Sequence, residues 1–535
     1  MRIILLSVLF VLIFKTSQSQ MPNFRIHPSS NAQIEPSIVR HPENPLIMFA
    51  ASYTISNSFR SEGNYFTTDG GITWFGSDTC NTGSSTSNHG GDPGTVIDKD
   101  GRFILTHQGG FIVGMYSTYS TNFGTSWSNN YQIASGDQDK GSPGTDDIAS
   151  SPYYGRTYLV WTKFLNPFPI VCSFTTDGGV SWTANNQINS SPSGYVSLGA
   201  EVKVNLGGVV YVCWSGVLTT SPQNEKFCGF AKSTNGGVNW IVNENIYAMN
   251  GVKTSSLAPW NIRINGYPHI DADKSGGERN GWVYIVTGEK NLSPAGTDPD
   301  VVFHRSTDGG NSWSSGIRVN QDPINNGKVQ YFPAINVDEF GGINVIFYDN
   351  RNISSDSMDV YLSRSTDGGN SWNDYRINES RFVPKTVSGS GGSGNQGDNI
   401  GITSAGKKLW PVWMDDHTGL YQIWTAPVNV DELSVSRIDQ TTPDDFSLSQ
   451  NYPNPFNPTT LIKYFISSNA VRNMSDVKLT VYNALGVKIK TLVNEFQNPG
   501  NYEIVFDGSE LSSGVYYYEL KYGFKSVTKR MLLLK

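Results

Sequence analysis

Charged side chains are scarce in this 535-residue chain: Asp, Glu, Lys and Arg make up 16%, and the net charge is −7. A dedicated nucleic-acid binder needs a basic surface, so that class is excluded. Cysteine is nearly absent, with only Cys80, Cys172, Cys213 and Cys228. None stands in a CxxC pair, which excludes a zinc knuckle or a thiol redox motif. Cys213 and Cys228 fall on consecutive predicted strands, where a disulfide and two free thiols fit equally well. There is no HExxH, no Walker loop and no GxSxG, and the seven histidines show no metal-ligand spacing. The glycine-rich SGSGGSGNQG before Asp398 leads into no predicted helix. It reads as a surface loop rather than a phosphate cradle. The one apolar run, Ile3 to Phe14, is too short to span a bilayer but suits a signal-peptide core. Residues 1–19 are therefore read as a signal peptide, with Gln20 starting a mature chain that carries no transmembrane anchor.

What the chain has instead is glycine (55), tyrosine (26) and tryptophan (13), the profile of a turn-rich all-β protein. An octad, Ser/Thr-x-Asp/Asn-x-Gly-x-x-Trp, occurs six times. Its copies end at Trp74, Trp127, Trp182, Trp240, Trp313 and Trp372, spaced by 53, 55, 58, 73 and 59 residues. A period of this length holding several short strands predicts a propeller or related array. In each octad the third residue (Asp69, Asn122, Asp177, Asn235, Asp308, Asp367) can accept backbone N–H bonds within a turn. The glycine permits a positive φ and the tryptophan can wedge into apolar space. Each octad sits in a four-strand unit. Residues 329–378 show it as YFPAINVD, INVIFYDNR, DVYLSRSTD and DYRIN. A seventh unit, about 397–428, supplies only three strands, and PNFRIHPSS from Pro22 resembles the missing fourth. The terminal segments are therefore expected to pair and close a ring of seven blades, with six as the alternative.

These octads resemble the Asp-box (BNR repeat) of sialidases and other β-propellers. The resemblance implies a propeller over residues 20–428 in which the boxes are structural turns, remote from any active site. The sialidase chemistry does not carry over. Phe24-Arg25-Ile26-His27-Pro28 is only similar to the family's arginine motif, and the blade count puts Arg25 on an outermost strand. Arg263, Arg305, Arg351 and Arg364 stand in no clamp motif.

A polar linker is expected at 429–445. From Phe446 the chain holds ten Lys/Arg against six Asp/Glu, so this tail is +4 and the rest −11. NYPNPFNPTT, YNALGVKIKTLV, LSSGVYYYEL and the terminal KRMLLLK resemble the type A sorting domain of the type IX secretion system. That resemblance implies an Ig-like β-sandwich over 446–535, the secretion machinery as partner, a Bacteroidetes-type envelope, and secretion or attachment at the outer cell surface.

In a propeller the strand-one starts and second-strand exits share one face. The strand-one starts are Glu35, Asp92, Asp139, Tyr267, Tyr331 and Asp398. The second-strand exits are His107, Lys163, Glu289, Tyr348-Asp349-Asn350-Arg351 and Asp415-Asp416-His417. Glu35, Asp92, Tyr348, Asp349, Arg351, Asp398 and Asp415 are the leading candidates for a mouth. Paired carboxylates there suit glycoside hydrolysis, and Asp, Asn and carbonyl oxygens from several blades suit calcium. The sequence favours binding of a glycan or protein at the mouth. The alternative is an extracellular glycoside hydrolase, exo-sialidase-like, or a polysaccharide lyase. A close carboxylate pair in a channel would favour the enzyme.

Overall fold

The computed structural model describes residues 22–80, 89–353, 356–390, 394–433, 446–451, 453–466, 476–497, 500–522 and 525–535. The expected signal peptide and most of the expected linker lie outside these residues. The chain divides into two compact units, with the division between Leu433 and Ser434. The first unit runs beyond residue 428, because Val428–Asn429 pairs with Lys408–Leu409 and a short helix, Val430–Leu433, follows. Burial of Val430 accounts for these residues leaving the expected linker.

Among the described residues the first unit holds seven antiparallel sheets of four or five strands and one two-stranded hairpin. Six are consecutive four-strand meanders, opening with Ala32–Arg40, Gly94–Ile97, Gln138–Thr145, Tyr195–Asn205, His269–Ala272 and Gln330–Val337. The seventh opens with Gly401–Ala405 and continues through Lys408–Asp415 and Gln422–Thr425. The N-terminal Phe24–Arg25 completes it, Phe24 facing Thr425 and Arg25 facing Trp424. The seven first strands touch in cyclic order, the last against the first. These strands are buried between neighbours, which is why they read as apolar runs interrupted by small residues.

The six octads form the turns between third and fourth strands. In each, the leading hydroxyl accepts the glycine N–H, from Thr67 to Gly71 at 3.0 Å through Ser365 to Gly369 at 2.8 Å. The third residue accepts the N–H four positions on, as Asp69 does from Thr73 at 3.0 Å and Asp367 from Ser371 at 3.0 Å. These bonds hold the Asp69 and Asp308 carboxyls down at about 2. Gly71 has φ +84, and an added Cβ would strike the Trp410 ring of the seventh sheet. The tryptophans pack backwards onto the preceding sheet: Trp74 on Trp410, Trp127 on Phe49, Trp313 on Phe230 and Trp372 on Phe303. All four cysteines are buried free thiols. Of the two readings of Cys213 and Cys228, free thiols hold: Cys213 faces Phe230, and Cys228 faces Ser215.

The second unit has a three-stranded sheet (Phe446–Leu448, Thr459–Ile466, Gly500–Asp507) and a four-stranded one (Lys488–Phe496, Asp476–Asn483, Gly514–Tyr522, Lys525–Leu533). Both contribute to one apolar core around Ile462, Leu479, Phe506, Tyr518 and Met531.

Candidate functional site

A repeated irregularity at the start of the first strands builds the site. The ladders slip between Ile34 and Ser37, Asp139 and Ser142, Leu198 and Glu201, and Tyr331 and Ala334. Each slip carries a residue in the left-handed region: Glu35 (φ 55), Lys140 (φ 48), Gly199 (φ 67) and Phe332 (φ 51). Asp92, just before the second sheet's first strand, has φ 50. For a non-glycine residue this conformation costs about 1–3 kcal/mol. Bulges re-aim side chains; Asp92 and Lys140 line one end of a central cavity, and Glu35 is buried against Asp92. The cavity, about 300 Å³, runs between the first strands from Asp92 and Lys140 to Lys274 and Asn336.

At that end Glu35, Asp92 and Asp398 each offer a carboxylate oxygen, all within 4.8 Å of one another. The Asp92 N–H donates to Glu35 Oε2 at 3.0 Å. Gln108 Nε2 donates to both Asp92 and Asp139. Arg263 Nη2 donates to both oxygens of Asp398, at 2.9 and 2.8 Å. Arg263 arrives on an inserted hairpin, Thr254–Leu257 and Ile262–Ile264, between the fourth and fifth sheets. Its N–H donates to the Gly394 carbonyl at 2.8 Å, fastening this hairpin to the approach of the seventh sheet. The Lys140 ammonium lies 5.3 Å from the Tyr267 ring centre. Three carboxylates supply part of the six to eight oxygens calcium takes, so Glu35, Asp92 and Asp398 are the residues that could hold such a cation.

The charges are unevenly held. Burial, then the Asp139 and Asp398 charges, push Asp92 up to about 7. Burial, then Asp92 and Asp398, push Glu35 well above the carboxylate range. Burial and then Asp398 also raise Asp139. Of these carboxyls only Asp398 is paired, among the described residues, with a guanidinium, a single nitrogen of Arg263 spanning both its oxygens.

Beneath Asp92, Glu62 Oε1 accepts the Gly91 N–H at 3.0 Å, while Oε2 has no partner among the described residues. Burial pushes this carboxyl up to about 8. Between about pH 4.5 and 8 the unfolded chain therefore releases a proton that the folded chain keeps, and stability falls as pH rises. Glu62→Gln is expected to flatten that slope, gaining on the wild type in melting temperature at pH 9 but not at pH 4. Parallel melting curves at both pH values would refute the assignment.

Most of the other sequence candidates make their contacts elsewhere, although His107 Nδ1 lies 4.0 Å from Glu62 Oε1. Tyr348 is buried, its hydroxyl donating to the Met414 carbonyl at 2.6 Å. Arg351 is drawn away by Asp349 and by Asp374 of the sixth sheet's fourth strand, and stacks on Tyr361 at 4.3 Å. Asp415 accepts from Trp413 Nε1 at 2.8 Å and bonds His417. His107 is buried beside His89, and Glu289 accepts from Thr287. Tyr331 bonds Gln396, and it is the next residue, Phe332, that occupies the bulge. Arg25 lies over Trp424. Arg263, Lys140, Gln108 and Glu62 are the site residues the sequence reading did not select. An X-Pro step at Glu35-Pro36, Asp92-Pro93, Tyr267-Pro268 and Phe332-Pro333 marks the strand-one starts. The 73-residue spacing marks the inserted hairpin that carries Arg263.

Comparison with solved structures finds low-identity likenesses. A protein of unknown function from Dyadobacter fermentans DSM 18053 is 10% identical, covering 77% of this chain and 98% of that one, with TM-score 0.44. An ulvan lyase from a new polysaccharide lyase family is 12% identical, covering 75% and 94%, with TM-score 0.48. A leech intramolecular trans-sialidase is 12% identical, covering 78% and 71%, with TM-score 0.37. No curated protein matches the chain. Residues 450–534 match the secretion system C-terminal sorting domain. No helix among the described residues is long and apolar enough to cross a membrane. The tail is thus a sorting domain of type IX secretion, and it directs the chain to the cell surface or beyond.

Proposed function

We propose that the first unit is a seven-bladed Asp-box β-propeller, the second an Ig-like sorting module, and that the propeller mouth hydrolyses a glycosidic bond of an extracellular glycan. The observation that carries this reading is the close group Glu35, Asp92 and Asp398, of which Asp92 lines the end of a central cavity. It moves hydrolysis ahead of simple ligand capture. A carboxyl pushed up toward neutrality marks a general acid. Asp92, held near 7, retains a proton for the departing glycosidic oxygen. Asp398, held in place by Arg263, faces the anomeric carbon as nucleophile. Oxygens within 4.8 Å favour direct attack over an interposed water, the spacing of retaining enzymes. The glycosidic C–O bond breaks as the Asp398 ester forms. Water then cleaves that ester, giving its proton to Asp92. Glu35 stays protonated behind them, and its Oε2 fixes the Asp92 backbone.

The test is incubation of the mature chain with arabinan, ulvan, pectin and sialylated glycans, reading bound polymer and released sugar with and without a chelator. Released sugar that Asp398→Asn abolishes supports hydrolysis. Unsaturated products would point to a lyase instead, and binding without product to a capture protein. Loss of either signal with the chelator would add a cation to the same three carboxylates.

A further inference from the structure

Two neighbouring loops at the same end of the cavity carry apolar side chains into solvent. Gly109–Val113, between the second and third strands of the second sheet, presents Phe111 at 88% exposure with Ile112 and Val113 beside it. The equivalent loop of the third sheet presents Phe164 and Leu165, at 42% and 61%. Phe164 is braced edge-on by Phe168, ring centres 5.3 Å apart. A single exposed apolar residue needs no explanation, but two clusters at equivalent loops of consecutive sheets do.

These loops are tied to the carboxylates. The strand leading into the first one ends at Gln108, whose amide bonds both Asp92 and Asp139 and whose N–H donates to the Gly91 carbonyl at 3.0 Å. The second one begins with the Phe164 N–H donating to the Asp137 carbonyl at 3.0 Å, two residues from Asp139. The Arg263 hairpin, by contrast, spans from the fourth and fifth sheets to Asp398 and Gly394 of the seventh-sheet approach. A long ligand reaching Asp92 and Asp398 is therefore hindered by the hairpin on one side and meets an apolar rim on the other.

We propose that Phe111–Val113 and Phe164–Leu165 form a platform for the sugar rings next to the cleaved bond, so that the glycan chain lies over the second and third sheets. This rests on the hydrolase reading of the mouth. The occupant is a polysaccharide because its rings present apolar C–H faces to aromatic side chains and hydroxyls to the carboxylates continuous with the platform. Stacked rigid aromatics bind strongly at low entropic cost.

The test compares the mature wild type with Phe111→Ala/Phe164→Ala, using the cleaved polysaccharide from the panel and its fragments of graded length. Ile72→Ala, exposed in an octad turn, is the control. The double variant is expected to raise KM for long fragments about tenfold, with kcat, melting temperature and KM for the shortest cleaved fragment unchanged. Cleavage of long fragments with unchanged KM overturns the platform and leaves the hydrolase reading standing. Failure of the wild type to bind or cleave any glycan of the panel overturns both. Co-sedimentation of the wild type with phosphatidylethanolamine–phosphatidylglycerol vesicles, lost in the double variant, would make the rim a lipid-facing surface and overturn the platform.

Discussion

Asp92→Asn is expected to lower kcat for glycan cleavage by about 10²–10⁴-fold while leaving KM nearly unchanged. The side chain keeps its size and its place beside Gln108 but loses the proton it would give to the leaving group. In the wild type, activity should fall above about pH 7 as Asp92 ionises. In the variant that alkaline limb should vanish along with the rate. Stability should move the other way. The Asp92 carboxyl titrates near 3.8 in an unfolded chain and near 7 in the fold, so across that interval the folded chain holds the extra proton. Rising pH therefore erodes stability through this residue, and an amide removes the erosion. At pH 8 the variant should melt at or above the wild-type temperature while being nearly inactive. A misfolded protein would lose both, and a site elsewhere would lose neither. Retained activity with its alkaline limb intact would remove Asp92 from the reaction.

Much of the architecture is legible because it repeats locally. The octad encodes its turn within eight residues: a hydroxyl, an Asp or Asn, a glycine and a tryptophan, each with a partner in the same turn or the adjoining sheet. PNFRIHPSS signals its pairing because its strand pattern matches DYRINES elsewhere in the chain. The strand-one rule selects Glu35, Asp92, Asp139 and Asp398, since each lies at or near the start of an inner strand. The second-strand rule does not select the same site. Arg351 follows such a strand, yet Asp374 and Asp349 compete for its guanidinium and turn it outward. Asp415 is satisfied by Trp413 two residues away, within its own strand. Arg263 was illegible for a different reason. It lies outside every repeat, in an insertion visible only as excess spacing between Trp240 and Trp313. Its partner, Asp398, is 135 residues away. Glu62 was hidden because its role is to hold the Gly91 amide of the next sheet, a contact that strand alternation does not encode.

The largest stability effect should come from the few residues that join the two ends of the first unit. Ile26 is 3% exposed and packs with Ala50, Tyr65, Val412 and Ile423, so it touches the first and seventh sheets together. Its N–H donates to the Ile423 carbonyl at 3.1 Å, and Asn23 Nδ2 donates to the Ile377 carbonyl of the sixth sheet's exit at 2.9 Å. Ile26→Ala should cost about 2–5 kcal/mol, the range for truncating a buried aliphatic chain. Deleting residues 22–31 should cost more. It also removes the Phe24 and Arg25 ladder and leaves Gln422–Thr425 as an open strand edge. Urea melts of the three proteins should therefore rank wild type, Ile26→Ala, deletion, and the deletion should self-associate through the bared edge. Ile72→Ala, a comparable loss of methyl groups at an exposed turn, should stay within about 0.5 kcal/mol of wild type. The contrast separates closure from hydrophobicity as such: both residues are isoleucine, but only Ile26 holds together segments nearly 400 positions apart, so that its loss frees the whole ring of first strands to open. An Ile26→Ala protein melting with the wild type would mean that the cyclic contact of the first strands holds without the N-terminal segment.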